Sequence, residues 1–128
     1  MVLDASALLA MLFDEPDAHL FEEAIGTSGR TVMSPVNLWE ALVRARVVRG
    51  PSGSLLIEEL LNESRVEIVP VTAEHARTAA EAFALYGRHA KARLNLGDCF
   101  AYALARAENA PLLHKDEGFN LTDVRSAL

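Results

Sequence analysis

The chain has 128 residues, of which 51% are hydrophobic and 6% aromatic, and its 12 basic and 18 acidic residues give a net charge of −6. This length is typical of one domain that buries about two-thirds of its unfolded surface without covalent or metal cross-links. The negative charge argues against a general nucleic-acid binder, which contacts phosphates through Lys and Arg. It is compatible with a nuclease whose carboxylates hold cations.

The single cysteine, Cys99, excludes an internal disulfide framework and is typical of a reducing compartment. The longest apolar run, residues 7–13, is too short to span a bilayer. The N-terminus lacks the basic region and the cleavage site of a signal peptide. We therefore expect a cytoplasmic protein that does not associate with a membrane.

Short apolar strands alternate with helices along the first half of the chain. The predicted elements are strands 2–3 and 31–33 and helices 7–13, 18–25 and 35–48. Ser6 is the predicted N-cap of the first helix. Ser34 and Pro35 are the N-cap and the first helical position of the third, a combination that marks a helix start.

The same alternation continues in the second half. The predicted elements are helices 54–62, 73–86 and 96–108, strands 66–71 and 111–114, a basic connector at 87–93, and a tail that is mostly loop. Thr72 and Asn95 are the predicted N-caps. Strands that alternate with helices indicate a parallel sheet covered on both faces. We therefore predict a single α/β domain, residues 1–128, with a central, mainly parallel sheet of four to five strands flanked by helices.

Four acidic residues lie where strands end or on the helices that follow. Asp4 follows the first strand, and Asp116 comes shortly after the last. Asp98 lies in the first turn of a helix, where the helix dipole stabilises its charge. Glu40 lies on the helix after the second strand, on one face with Asn37 and Arg44 (a further basic side chain, Arg46, follows on the same helix). In an open parallel sheet, ligands bind in the crevice outside the carboxyl ends of the strands.

Carboxylates that converge on one crevice repel each other unless cations neutralise them. Oxygen-rich sites of this kind suit Mg²⁺ or Mn²⁺, which activate water and stabilise the oxygens of a phosphodiester during cleavage. Each acid also has a structural interpretation. Asp4 and Asp98 fit helix starts, Glu40 and Arg44 fit an i,i+4 surface pair, and Asp116 fits a turn. The joint placement of the four is what favours a metal site.

Three segments of the chain resemble the VapC-type PIN-domain ribonuclease toxins. They are MVLDASALLAMLFDEPDA at 1–18, MSPVNLWEALVRAR at 33–46 and ARLNLGDCFAYALARAENAPLLHKDEGFNLTDV at 92–124. The similarity is collinear over nearly the whole chain, and LNLGDCFAYALA is its most specific part. It implies a PIN fold, Mg²⁺- or Mn²⁺-dependent endoribonuclease activity, a homodimer, and inhibition by a VapB-type antitoxin in a toxin–antitoxin pair.

The resemblance also implies roles for individual residues. Asp4 and Asp98 match the family's first and third acids, which are metal ligands, and Glu40 matches the second, which reaches the metal directly or through water. Ser6 matches a small hydroxyl residue near the metal-bound water and the phosphate. Arg93 lies in AKARLN, where relatives often have HPAGLN, and is a candidate for RNA contact that also fits a solvated charge.

The fourth acid departs from the family pattern. Asp116, three residues before Phe119, matches the broader pattern, but close relatives more often carry an acid directly before that Phe, where this chain has Gly118. Glu117 and Asp123 are therefore alternatives, and the number of metals, one or two, stays open.

Two other functions stay open beside the ribonuclease toxin. One is a PIN-fold nuclease that is not a toxin, and the other is a Mg²⁺-binding α/β protein of the phosphotransfer type. A dehalogenase-like phosphatase would need a second Asp two residues after Asp4, where this chain has Ser6. A non-catalytic PIN scaffold would have lost acids, whereas Asp4, Glu40 and Asp98 are all present.

Overall fold

A computed structural model describes residues 1–128 as one parallel sheet flanked by six helices. The strands are β1 (Val2–Leu3), β2 (Val32–Met33), β3 (Glu67–Ile68) and β4 (Leu112–Leu113). The helices are α1 (Ala5–Leu12), α2 (Ala18–Thr27), α3 (Pro35–Arg49), α4 (Pro51–Glu63), α5 (Ala73–Tyr86) and α6 (Leu96–Glu108), and a 3-10 helix spans Glu117–Leu121. The predicted α/β fold is confirmed. None of the helices has the length and hydropathy of a membrane-crossing segment.

The first strand lies in the middle of the sheet. The strand order is β3-β2-β1-β4, all parallel, and Val2 of β1 is in register with Val32 on one side and Leu112 on the other. The tail was predicted to be mostly loop, but it contains the 3-10 helix, and Ser126 then forms a parallel bridge to Leu112. This bridge gives hydrogen-bond partners to the outer edge of β4, which would otherwise be unpaired.

The sheet is covered on both faces. The first residues of β1, β2 and β4 belong to an apolar cluster with α5 and α6, and the second residues belong to a separate cluster with α1, α2, α3 and α4. Successive strand side chains point to opposite faces, so a two-residue strand contributes to both clusters. This explains why these strands are apolar throughout, as is usual for buried parallel sheets.

Two helices begin earlier than predicted. The cap of α1 is Asp4, whose side chain accepts a hydrogen bond from the backbone N–H of Ser6. The start of α4 is Pro51, because Pro is favoured at the first helical position and the preceding Gly50 reverses the chain at φ 71°. The N-caps predicted for α3, α5 and α6 are confirmed, at Ser34, Thr72 and Asn95.

The close approach of α3 and α4 depends on Gly53. A Cβ there would lie 2.2 Å from the carbonyl oxygen of Ala45. We expect Gly53→Ala to lower the free energy of unfolding by about 1–3 kcal/mol through overpacking. Gly26→Ala is the matched control, because nothing lies within 4 Å of its Cβ, and it should stabilise α2 by up to about 1 kcal/mol. Urea unfolding of both variants measures the difference, and equal stabilities would contradict this packing.

Candidate active site

Acidic side chains line a cleft of about 290 Å³ at the carboxyl ends of β1 and β4. Its lining residues are Asp4, Ala5, Ser6, Leu9, Glu40, Arg44, Asn95, Asp98 and Asp116. The structure therefore brings together the four predicted acids and Ser6. Three other candidates, Glu117, Asp123 and Arg93, do not line the cleft.

Asp4 is held at the exit of the central strand. Its backbone N–H donates to the carbonyl of Leu113 at 2.9 Å, which continues the pairing of β1 with β4. Its carboxylate Oδ2 accepts hydrogen bonds from the Ser6 N–H at 2.9 Å and the Ser6 hydroxyl at 2.5 Å. The Ser6 oxygen accepts in turn from the backbone N–H of Lys115 at 2.9 Å. One serine thus orients Asp4 and ties together the ends of two neighbouring strands.

Glu40 is held by a buried amide on its own helix. The Asn37 side chain is fully buried, and its Nδ2 donates to Glu40 Oε2 at 3.0 Å and to the Gly97 carbonyl at 3.0 Å. The same Nδ2 lies 3.4 Å from Asp4 Oδ1. Asn37 therefore joins β1, α3 and α6 around the cleft. Helical spacing predicts that Asn37 shares a face of α3 with Glu40, but no role was predicted for it. An amide three residues before an acid on a helix is a signal that could have predicted this contact.

Gly97 makes room for the Glu40 side chain. A Cβ at this position would lie 1.9 Å from Glu40 Oε1, so any larger residue would displace the carboxylate. Because Glu40 turns inward toward α6, it forms no ion pair with Arg44. The i,i+4 surface pair considered for these two residues is therefore wrong.

Asp98 combines a structural role with a place in the cleft. Its Oδ2 accepts from the Asn95 N–H at 2.9 Å, and its own N–H donates to Asn95 Oδ1 at 2.9 Å. This reciprocal capping box satisfies two backbone donors at the start of α6. It engages only one carboxylate oxygen, which leaves Oδ1 for the cleft. The structural and the site interpretations of Asp98 are therefore compatible.

Asp116 lies at the more exposed end of the cleft. It caps the 3-10 helix, where its Oδ1 accepts from the Gly118 N–H at 2.8 Å. A Cβ on Gly118 would lie 2.4 Å from the carbonyl oxygen of Ala92. An acid directly before Phe119 therefore does not fit this backbone, which gives a physical reason for the departure from the family pattern.

Asp123 is engaged elsewhere. Its Oδ1 accepts from the Tyr102 hydroxyl at 2.6 Å, and its Oδ2 pairs with Arg106 at 3.0 Å. These contacts fasten the C-terminal segment to α6. The neighbouring candidate, Glu117, is exposed in the first turn of the 3-10 helix and does not line the cleft. Of the three alternatives for the fourth acid, Asp116 alone lines it.

The cleft is strongly anionic. Burial raises the pKa of Asp4 and of Glu40, and the charge of Asp4 raises the pKa of Glu40 further. Burial raises the pKa of Asp98 to about 7, with added repulsion from the other three acids. None of the four carboxylates forms a salt bridge. No basic side chain of the protein therefore neutralises these acids through a direct ion pair.

The donor set fits a hard divalent cation. No three His, Cys, Asp or Glu side chains stand close enough to form a complete ligand shell by themselves. Mg²⁺ does not need one, because it usually takes one or two carboxylates and keeps several water molecules. The carboxylates of Asp4 and Asp98, each with one oxygen engaged in a cap, fit this requirement.

The raised pKa of Asp98 has a stability consequence. An Asp in an unfolded chain titrates near pH 3.9, so the contribution of the Asp98 carboxyl group to the stability of the metal-free fold is fully present below about pH 4 and is lost as the pH rises through 7. We expect Asp98→Asn to be more stable than the wild type in chelator. The gain should grow between pH 4 and pH 7 and level off at up to about 4 kcal/mol.

Urea unfolding at several pH values measures this gain. Asp14→Asn, at an exposed turn between α1 and α2, is the control and should change stability little across the range. A metal-free Asp98→Asn protein that is less stable than the wild type at pH 8 would contradict the repulsion.

Comparisons with known proteins identify the family of the chain. Residues 1–124 match the PIN domain family. The chain is 43% identical over 126 residues to a ribonuclease VapC of Mycolicibacterium smegmatis, covering 97% of each chain. It is 41% identical to ribonuclease VapC30 of Mycobacterium tuberculosis, covering 97% of this chain and 95% of the relative.

Solved structures share the fold. VapC20 of Mycobacterium tuberculosis, a sarcin-ricin loop cleaving toxin, superposes with a TM-score of 0.79 at 15% identity, covering 96% of this chain and 95% of the other. VapBC2 of Rickettsia felis, bound to a promoter DNA fragment, has a TM-score of 0.68 at 17% identity and covers 98% and 94%. The sequence identities decide the family: the chain belongs to the PIN-domain proteins and, within them, to the VapC ribonucleases.

Proposed function

We propose that this protein is a Mg²⁺- or Mn²⁺-dependent endoribonuclease and the toxic component of a type II toxin–antitoxin pair. The observation that carries the proposal is the cleft lined by Asp4, Glu40, Asp98 and Asp116, none of whose carboxylates forms an ion pair with a basic side chain. The ribonuclease names of relatives at 37–43% identity support RNA as the substrate.

Each cleft residue has a role in this proposal. Asp4 and Asp98 would hold the ion through their carboxylates, and Glu40 would reach it directly or through water. A bound ion would supply an activated water and neutralise the charge on the phosphodiester oxygens. Ser6 keeps Asp4 oriented through its two hydrogen bonds. Asp116, at the exposed end, is the candidate for a second ion or for a water on the substrate side.

The partners are also part of the proposal. Solved neighbours of this fold include toxin–antitoxin complexes from Klebsiella pneumoniae and Rickettsia felis, which supports a VapB-type antitoxin as the inhibitor.

An exposed apolar stripe runs along α3 at positions i, i+4 and i+8, formed by Trp39, Val43 and Val47. Contiguous exposed apolar surface marks association sites, so we assign this stripe to a homodimer. A short antitoxin gene beside this one would separate the toxin from a non-toxin PIN nuclease.

The first test is substitution of the cleft acids. Asp4→Asn and Asp98→Asn each remove a charge from the metal site, and we expect cleavage of single-stranded RNA to fall about a hundredfold or more. Glu40→Gln should be comparable or milder. Among the candidates for the fourth acid, Asp116→Asn should lose the most activity and Glu117→Gln the least. Asp123→Asn should act through stability, because its carboxylate holds Tyr102 and Arg106.

Cleavage is measured with Mg²⁺, with Mn²⁺ and with excess EDTA, beside a melting curve for each variant. Activity that persists in EDTA would overturn the metal mechanism. A normally folded Asp98→Asn protein that cleaves at the wild-type rate would overturn the site.

The second test addresses assembly. We expect light scattering to report a dimer, and Val47→Glu to weaken it because the new charge would be desolvated in the interface. Leu55→Glu, at an equally exposed apolar position on α4 outside the α3 stripe, is the matched control and should leave the dimer intact. A monomer at every accessible concentration would contradict the homodimer.

A further inference from the structure

One basic side chain, Arg44, lines the acidic cleft. It lies one helical turn after Glu40 on α3, which places the two residues on the same face of the helix. The side chain is exposed and forms none of the salt bridges of the protein. An arginine beside carboxylates ordinarily pairs with one of them, so its free state needs an explanation.

The explanation lies in how Glu40 is held. Asn37 donates to Glu40 Oε2 at 3.0 Å, and the whole carboxylate group of Glu40 occupies the space left by Gly97. Glu40 is therefore turned away from Arg44. Asp4 and Asp98 each have one oxygen engaged in a helix cap. The guanidinium is thus left at the rim of the cleft with all five of its N–H donors available.

The other basic side chains near the cleft either are already paired with acids or do not line the cleft. Lys115 follows β4 beside Ser6, but its ammonium group is bound by Glu15 and Asp17. Arg93 is exposed on the connector before α6 and does not line the cleft. A polyanion that enters the cleft therefore meets a single uncommitted positive charge, at Arg44.

We propose that Arg44 binds a backbone phosphate of the RNA strand as that strand enters the cleft. The inference rests on the proposed ribonuclease function and adds a substrate-binding residue to it. A chain of net charge −6 with four acids in its cleft repels RNA, so a phosphate beside the reacting one needs a cation. The planar guanidinium binds phosphate through two parallel hydrogen bonds, which also fix the direction of the strand.

The test compares Arg44→Gln with Arg46→Gln. Arg46 lies on the same helix, is exposed and forms no salt bridge, but it does not line the cleft. Cleavage of a single-stranded RNA oligonucleotide is measured with Mn²⁺ over a series of salt concentrations. We expect Arg44→Gln to lower kcat/KM about tenfold, mainly through KM, because a charge-assisted contact is lost. The slope of log kcat/KM against log salt should become shallower by about 0.7, the value for one phosphate contact to a single strand.

Arg44→Lys separates charge from geometry. It should restore the salt slope but only part of the affinity, since an ammonium group cannot make the paired contact. Binding of the same RNA to Asp98→Asn, alone and combined with each arginine change, gives a readout that does not need cleavage. A role of Arg44 in folding alone would lower the melting temperature and leave the salt slope unchanged.

The outcomes distinguish the two proposals. If the wild type binds RNA but does not cleave it with Mg²⁺ or Mn²⁺, the proposed function fails, and the binding slopes still decide the role of Arg44. If Arg44→Gln matches Arg46→Gln in kcat/KM, in RNA binding and in salt slope, the inference about Arg44 is overturned.

Discussion

Mutual repulsion among buried carboxylates is the constraint around which this fold is arranged. Asp4 and Asp98 are 3% and 7% exposed, and neither has a basic partner. The protein keeps them in place with hydrogen bonds to neutral donors: the hydroxyl and N–H of Ser6 for Asp4, and the Asn95 N–H for Asp98. Neutral donors orient the carboxylates without cancelling their charge, so their attraction for a cation is preserved.

The helices and strands around the cleft also hold the acids in position. Each of the two buried acids accepts a backbone hydrogen bond at the start of a helix, Asp4 as the N-cap of α1 and Asp98 in the capping box of α6, and these bonds hold one oxygen of each carboxylate in place. Asn37 links Glu40 to the carbonyl of Gly97 and so joins α3 to α6. A site built on helix starts and strand ends is positioned more precisely than one built on flexible loops. Loss of one small residue, Gly97, would displace Glu40 without changing any acid.

The distribution of charge follows from these contacts. Because Asn37 and Gly97 hold Glu40 inward, the guanidinium of Arg44 stays uncommitted on the outer rim, while Lys115 is neutralised by two acids from the segment between α1 and α2. The cleft is therefore anionic at its floor and cationic at one edge. A metal ion and a phosphate strand have opposite charges. The acids at the floor of the cleft are complementary to the ion, and Arg44 at its edge is complementary to the strand.

The sequence by itself determined the α/β class, most of the helix starts and the identity of the acids, because alternation of strands and helices and capping side chains are local signals. It favoured Asp116 as the fourth acid and left Glu117 and Asp123 as alternatives, because the local sequence does not show which of the three side chains reaches the cleft. Tertiary structure separated them: Asp123 is held by Tyr102 and Arg106 on α6, and Asp116 lines the cleft.

The orientation of the Glu40 side chain could likewise not be predicted from the sequence. Helical spacing alone favours its pairing with Arg44, whereas the space left by Gly97, distant in the chain, draws the carboxylate toward α6. Local signals state which residues share a helix face. Long-range packing decides which neighbour each side chain meets, because that neighbour comes from another part of the chain.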